Sequence, residues 1–278
     1  MKKFGLVLCS ILLAGTAAFA ETFRIPVGEF NELKVNDNIN VVYSNNPDSV
    51  GFVVFETKNE YASYVLTDIN KGKLKIELAQ EAASVKMPTI YVYSSFLSTV
   101  ENSKAGEVTV KDVKPTAKFT AEQQGNGAII IENVDATTID LKIITGKGKI
   151  IAKGKCTNLN IKNIGTGDID AMELVAPNVK TNIMGTGSIY CNATKTLNIS
   201  GLGSGKVYYH GNPIISKSKL GNIKPVPVVD EKITVTEEVT EEEVKATPLK
   251  EVTPDENEAV EQDNEEDDDN SRIKVTTA

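Results

Sequence analysis

The sequence predicts an all-β protein built mainly as a parallel β-helix, a β-solenoid with about 20 residues per coil. Three observations predict it. Glycine pairs recur at Gly125/Gly127, Gly146/Gly148, Gly165/Gly167, Gly185/Gly187 and Gly203/Gly205, with second members 21, 19, 20 and 18 residues apart. Between the pairs, short runs alternate apolar and polar residues with a period of two. No window of comparable length between residues 100 and 210 carries a helical period. Self-similarity at a fixed interval marks a repeat architecture.

Each unit carries the same text. The pair is followed by a short run such as Ala128-Ile129-Ile130-Ile131, Lys149-Ile150-Ile151-Ala152 or Ser188-Ile189-Tyr190-Cys191. A polar turn follows, then a second run such as Ile139-Asp140-Leu141-Lys142-Ile143 or Leu197-Asn198-Ile199. Alternation with β-branched residues indicates half-buried strands. Two short strands cannot bury an apolar face alone, but stacked copies can. Coils spaced by about 4.8 Å make the five intervals back to Gly106 roughly 24 Å tall. Twenty residues at about 3.3 Å each trace about 66 Å, a perimeter that encloses a packed interior and no wide channel.

The glycines then have a structural role. At a corner the chain turns sharply and the next coil repeats the turn directly above. Glycine adopts positive φ at no steric cost and presents no Cβ to the neighbouring corner. A dinucleotide loop would need Gly-x-Gly-x-x-Gly between strand and helix, and the calcium-binding glycine repeat has a period of nine. All ten residues are therefore expected as corner glycines, with no cofactor or metal at them.

Residues 21–100 are β-rich without the glycine interval. Strands are expected around Asn31–Val35, Ile39–Tyr43, Gly51–Phe55, Lys73–Leu78 and Thr89–Tyr93. A solenoid has open ends that template aggregation unless covered, so this part is expected to extend and cap the stack. At the other end, residues 207–213 are expected to close the last coil, with His210 a cap or surface residue. The expected organisation is thus 1–20 leader, 21–100 β-rich part, 101–213 coils and 214–278 acidic tail.

Residues 1–3 are basic at Lys2 and Lys3, residues 4–17 are apolar, and Ala18-Phe19-Ala20 precedes a cut between Ala20 and Glu21. This is the pattern of a secretory signal peptide. Cys9 could mark a lipoprotein, but it lies inside the apolar run. No other segment is apolar enough to span a bilayer as a helix, so the mature chain is expected to be exported, to the periplasm, the outer-membrane surface or the medium. Cys156 and Cys191 then remain, free or bridged.

Residues 230–278 hold 18 acidic against 5 basic residues, a net −13, while the whole chain is −8, so residues 1–229 carry +5. The tail has no aromatic residue and is expected to be disordered. Its run Glu265–Asp269 lacks the alternating ligands and mid-loop glycine of a calcium loop. The coils have no Trp and no basic-aromatic interleaving, which argues against nucleic acid.

A further observation joins these. Phe30–Val35 and Ile39–Tyr43 are followed by Gly72-Lys73-Leu74-Lys75-Ile76, the glycine-pair coils, and the ending Tyr209-His210-Gly211-Asn212-Pro213. Over about residues 29–213 this resembles the head GIN domain family of auto-transporter adhesins of the Bacteroidetes type. The resemblance implies a β-helical exported domain acting in adhesion, and brings no catalytic residues. The expected function is a non-enzymatic envelope or surface interaction protein whose ligand, a glycan or a protein, is not specified. The alternative is a carbohydrate-active β-helix, a polysaccharide lyase or glycosidase. Such enzymes need clustered carboxylates, and the pair Asp168/Asp170 faces Lys149/Ile151 and Ser188/Tyr190 in adjacent units, so no acidic ladder forms.

Overall fold

The computed structural model describes residues 20–218 and 221–228. The chain divides into two units, Met1–Glu231 and Lys232–Ala278, and every described residue lies in the first. The leader up to residue 19 and the acidic tail from residue 229 lie outside the described residues.

The N-terminal part holds β1 (Glu21–Pro26), β2 (Glu32–Val35), β3 (Val41–Ser44), β4 (Phe52–Thr57), β5 (Val65–Asn70), β6 (Lys73–Leu78), β7 (Ile90–Tyr93), β8 (Thr99–Asn102) and β9 (Glu107–Val110). Longer strands follow as β10 (Val113–Gln124), β11 (Ala128–Thr145), β12 (Lys149–Asn163), β13 (Ile169–Ile183) and β14 (Ile189–Gly201). The series ends with β15 (Lys206–His210), β16 (Ile214–Lys217) and β17 (Lys224–Pro227). All seventeen belong to one wound sheet. The pairing of β10 through β14 is parallel throughout, which makes this a β-solenoid.

Each of β11 to β14 runs through three ladders, while β10 begins in the second. In β11, residues 128–131 pair in a first ladder, Val134 and Ala136 in a second, and Thr138–Ile143 in a third. Slips of register between Ile131 and Val134, Ile151 and Gly154, and Ala171 and Val175 mark the bend between the first two. The polar segment expected as a plain turn is therefore itself a hydrogen-bonded face. Its inward residues Val134, Leu174, Ala136, Cys156 and Ala176 are buried, while the polar residues between them point outward.

The N-terminal part caps the stack, but not in chain order. In the third ladder β2 lies between β6 and β8. In the first ladder β3 lies between β7 and β9. The coil made first is thus enclosed by two made later. Antiparallel strands finish this end, β5 on β6 and β1 on β4 on β7. At the other end the coils continue past residue 213, where the tail was expected to begin. β16 pairs with β14 and β17 with β15. Gly221 stacks on Gly201 as the corner between them. Pro225 and Pro227 alternate with Val226 in β17, and Val228 N–H donates to Tyr209 O. The alternate proline nitrogens consequently face away from β15, where a further strand would find no donor.

Rows of aligned inward side chains fill the bore. One row reads Val41, Val108, Ile129, Ile150, Ile169, Ile189 and Val207, all buried. Another carries Asn102, Gln123 and Asn163, fully buried amides at the glycine corner. Asn102 Nδ2 donates to Gly106 O at 2.7 Å, and Asn163 Nδ2 donates to Gly167 O at 2.8 Å. Through their nitrogens these amides satisfy carbonyls that the corner turns inward, which offsets part of the cost of burying them. The side-chain oxygens of Asn102, Gln123 and Asn163 are buried without a hydrogen-bond partner among the described residues.

The glycines stand in two columns. Gly146 lies over Gly125, Gly165 over Gly146, Gly185 over Gly165 and Gly203 over Gly185. Gly127, Gly148, Gly167, Gly187 and Gly205 stack likewise on Gly106 and on one another. A Cβ on Gly167 or Gly187 would overlap the carbonyl oxygen of the glycine beneath. Close approach, rather than positive φ, is the common requirement; among the ten only Gly125 and Gly146 have positive φ, both 83°. Gly167→Val or Gly187→Val is therefore expected to cost more than about 4 kcal/mol and to yield misfolded chain. Gly28→Ala, where a Cβ meets nothing within 4 Å at φ 76°, should cost only about 1 kcal/mol from backbone strain. Thermal melts of the three variants check the contrast.

Candidate functional site

The outer surface of the third ladder is the most organised face. Side chains at equivalent positions stand one coil apart in register, and so form rows. One row reads Thr138, Asn158, Asn178 and Thr196; the next reads Asp140, Asn160, Lys180 and Asn198; the next reads Lys142, Lys162, Asn182 and Ser200. Alternation puts these side chains outward because Ile139, Leu141, Leu159 and Val179 between them are buried.

Neighbouring coils are tied by side-chain hydrogen bonds along these rows. Thr196 Oγ1 donates to Asn178 Oδ1 at 3.1 Å, and Asn160 Nδ2 donates to Asp140 Oδ1 at 2.8 Å. Lys118 Nζ lies 2.8 Å from Asp140 Oδ2. Burial pushes the Asp140 carboxyl up, but Lys118 and Asn160 outweigh it and hold the group below its usual range. A shallow depression of about 240 Å³ opens between the rows, lined by Asp140, Lys142, Asn160, Lys162, Lys180 and Ser200 among others. Lys162 and Lys180 have no carboxylate within salt-bridge distance among the described residues. The depression therefore offers ammonium, amide and hydroxyl groups to solvent.

Towards the N-terminal cap the same face is neutralised internally. Lys34 Nζ lies 2.9 Å from Glu101, and Lys73 lies 3.0 Å from Glu32 and 3.3 Å from Glu101. Burial raises the Glu101 carboxyl, but the two lysines outweigh it and the group sits below its usual range.

Next to the glycine corner a fourth row follows, of opposite character. Ile144, Ile164, Met184 and Leu202 each succeed the inward residues Ile143, Asn163, Ile183 and Gly201. Ile144 is half-buried, and exposure then rises through 37% at Ile164 and 54% at Met184 to 72% at Leu202.

The outer face of the first ladder is mixed. Ile130, Ile151, Asp170, Tyr190 and Tyr208 stand in one row. Tyr190 and Tyr208 stack with centroids 4.7 Å apart at 8°. Asp168 and Asp170, the carboxylate pair weighed for hydrolysis, both lie on this face. Asp168 Oδ1 accepts from Ser188 N–H at 2.7 Å and Asp170 Oδ1 from Met172 N–H at 3.3 Å. Asp168 thus holds the backbone of the next coil and Asp170 its own. His210 ends β15, half-buried and in register with Asn192.

Residues 29–213, more than half of the chain, match the family described as "Putative auto-transporter adhesin, head GIN domain". The chain belongs to that family. The head GIN fold recurs in a crystal structure of a "putative adhesin" from Bacteroides fragilis, with 21% identity, a TM-score of 0.66, and coverage of 76% of this chain and 98% of that one. A "putative lipid binding protein" from Parabacteroides distasonis is similar at 22% identity and TM-score 0.60, covering 75% and 97%. A "putative adhesin" from Parabacteroides merdae follows at 17% and 0.55, covering 75% and 96%. At these identities the likeness is one of fold. No curated protein matches the chain. Among the described residues no helix is long and apolar enough to cross a membrane.

Sequence reasoning attended to the glycines and missed the face beside them. The signal was present: an apolar residue in the outward phase recurs one or two positions before the first glycine of the last four pairs, as in Ile164-Gly165, Met184-Gly185 and Leu202-Gly203. Cys156 and Cys191 are both free and buried. Burial pushes each thiol up to about 12, so neither is a thiolate nucleophile at neutral pH. Neither should react with a thiol-specific disulfide reagent in the folded protein, and both should react in denaturant; titration of released chromophore distinguishes the two states.

Proposed function

We propose that this chain is an exported, non-enzymatic interaction protein of the cell envelope or cell surface, an adhesin in type, that holds a glycan on the outer face of its third ladder. The observation that carries this reading is the depression lined by Asp140, Lys142, Asn160, Lys162, Lys180 and Ser200. Amides, hydroxyls and ammonium groups standing at coil spacing match a polymer that repeats hydroxyl groups along its length. Rigid rows lose little conformational freedom on binding, which lowers the entropic cost of holding an extended partner. The family description, the predicted leader and the fold neighbours named as adhesins support the same reading.

The test is binding of residues 21–278 to an array of glycans and matrix proteins. Retention on glycans is expected. The variant Lys162→Ala/Lys180→Ala/Asn198→Ala should bind at least about tenfold more weakly, equivalent to about 1.4 kcal/mol, with an unchanged melt. Undiminished binding by that variant would move the site off this face. Release of shortened glycan by the wild type, lost in Asp168→Asn/Asp170→Asn, would instead establish the carbohydrate-active alternative.

A further inference from the structure

The fourth row of the third ladder is not explained by glycan binding. Ile144, Ile164, Met184 and Leu202 present apolar side chains outward on four successive coils, increasingly exposed toward the C-terminal end. They contribute little to the core, because the inward positions before them are already filled by Ile143, Asn163 and Ile183. The equivalent place on the two preceding coils is polar, at Ser103 and Gln124. The apolar ridge is thus a local feature of the last coils and not a requirement of the repeat.

Lysines border the ridge on both sides. Lys142 and Lys162 stand in the adjacent row, with Lys180 one row further. Across the glycine corner stand Lys147 at the turn and Lys149 and Lys206 at the start of the first ladder, all exposed. Among the described residues Lys147, Lys149, Lys162, Lys180 and Lys206 have no carboxylate within salt-bridge distance, while Lys142 reaches Glu122 at 4.0 Å. The acidic groups of this region are engaged: Asp140 with Lys118 and Asn160, and Asp168 with the Ser188 N–H.

We infer that this ridge and its lysine borders form a docking edge for an anionic lipid bilayer. Apolar side chains on a convex corner enter the interfacial zone, while lysines on either side meet headgroup phosphates; this is the physical chemistry of an amphipathic interfacial element. Each lysine near an anionic surface contributes on the order of 1 kcal/mol. A protein partner fits less well. A stable interface buries about 800 Å² on each side around a desolvated core, which a ridge one side chain wide does not supply. Because the ridge runs coil over coil along the solenoid axis, the stack of coils lies lengthwise on the bilayer. The apolar ridge itself plays no part in the glycan reading, although Lys142, Lys162 and Lys180 belong to both surfaces, so the serine variant below separates the two.

The test is co-sedimentation of residues 21–278 with vesicles of phosphatidylglycerol and phosphatidylcholine, beside vesicles of phosphatidylcholine alone. Binding to the anionic vesicles is expected, falling as salt is raised, with at least tenfold weaker partition to the neutral ones. Met184→Ser/Leu202→Ser should reduce anionic-vesicle partition at least tenfold while leaving the melt and any glycan binding unchanged. Equal partition to both vesicle types, no partition to either, or full retention by the serine variant would overturn the inference. A dimer in sedimentation equilibrium that disappears in the serine variant, without vesicle binding, would assign the ridge to self-association and also overturn it.

Discussion

The whole structure depends on how closely one backbone corner can lie on the next. Parallel ladders hold successive coils about 4.8 Å apart, and that distance applies at the turns as much as along the strands. At the corner the carbonyl oxygen of one coil occupies the space a Cβ of the next would take, as Gly148 O does beneath Gly167. Only glycine permits the stack to continue there. Without it the corner would lift, and the flanking ladders would lose register and leave buried backbone groups unpaired, a cost no side chain could offset.

Strict register has a consequence for side chains. Once corners are aligned, every position faces its own counterpart one coil away, so a single residue choice becomes a row. Inward rows of valine, leucine and isoleucine pack the bore. The amides Asn102 and Asn163 hold corner carbonyls from inside, where an unpaired carbonyl would be costly. Outward rows link coils through Asn178 and Thr196 or through Asn160 and Asp140. The same repetition that builds the fold therefore also builds continuous outer faces.

This explains what could be read from the sequence and what could not. The coils were legible because the steric demand returns at the same backbone atom, and glycine alone meets it. Of the two properties of glycine that a corner can use, positive φ occurs at Gly125 and Gly146 only, while close approach of the neighbouring backbone recurs along both columns. The second ladder looked like a turn because its outward residues, among them Asn133, Asp135 and Thr137, are polar and its inward ones, Ala136 and Cys156, are small. Chain order at the N-terminal cap was not legible, because nothing local in β2 or β3 says which later strands will lie beside them. The coil beyond residue 213 was missed because Gly221 stands without a paired glycine and β16 and β17 are four residues each. On the outer face of the first ladder, the Asp168/Asp170 spacing gave the right face for both side chains but could not reveal that one holds the backbone of the next coil and the other its own.

Where function can reside follows from which rows the fold leaves free. Inward rows are fixed by packing and corner rows by close approach, so substitution there costs stability before it changes recognition. Outward rows are less constrained, tying coils at some positions only, and their composition changes from coil to coil: ion pairs around Glu101, amides and lysines around Asn160, apolar side chains at Met184 and Leu202. A hydrophobic row facing water brings the fold little burial and carries a solubility cost. A charged face that pairs its own ions is self-sufficient, whereas one that leaves Lys162 and Lys180 unmatched within its own described surroundings is complementary to something outside it. Both departures fall on the same side of the same few coils, and a rod with a filled interior can meet a partner only along such an edge.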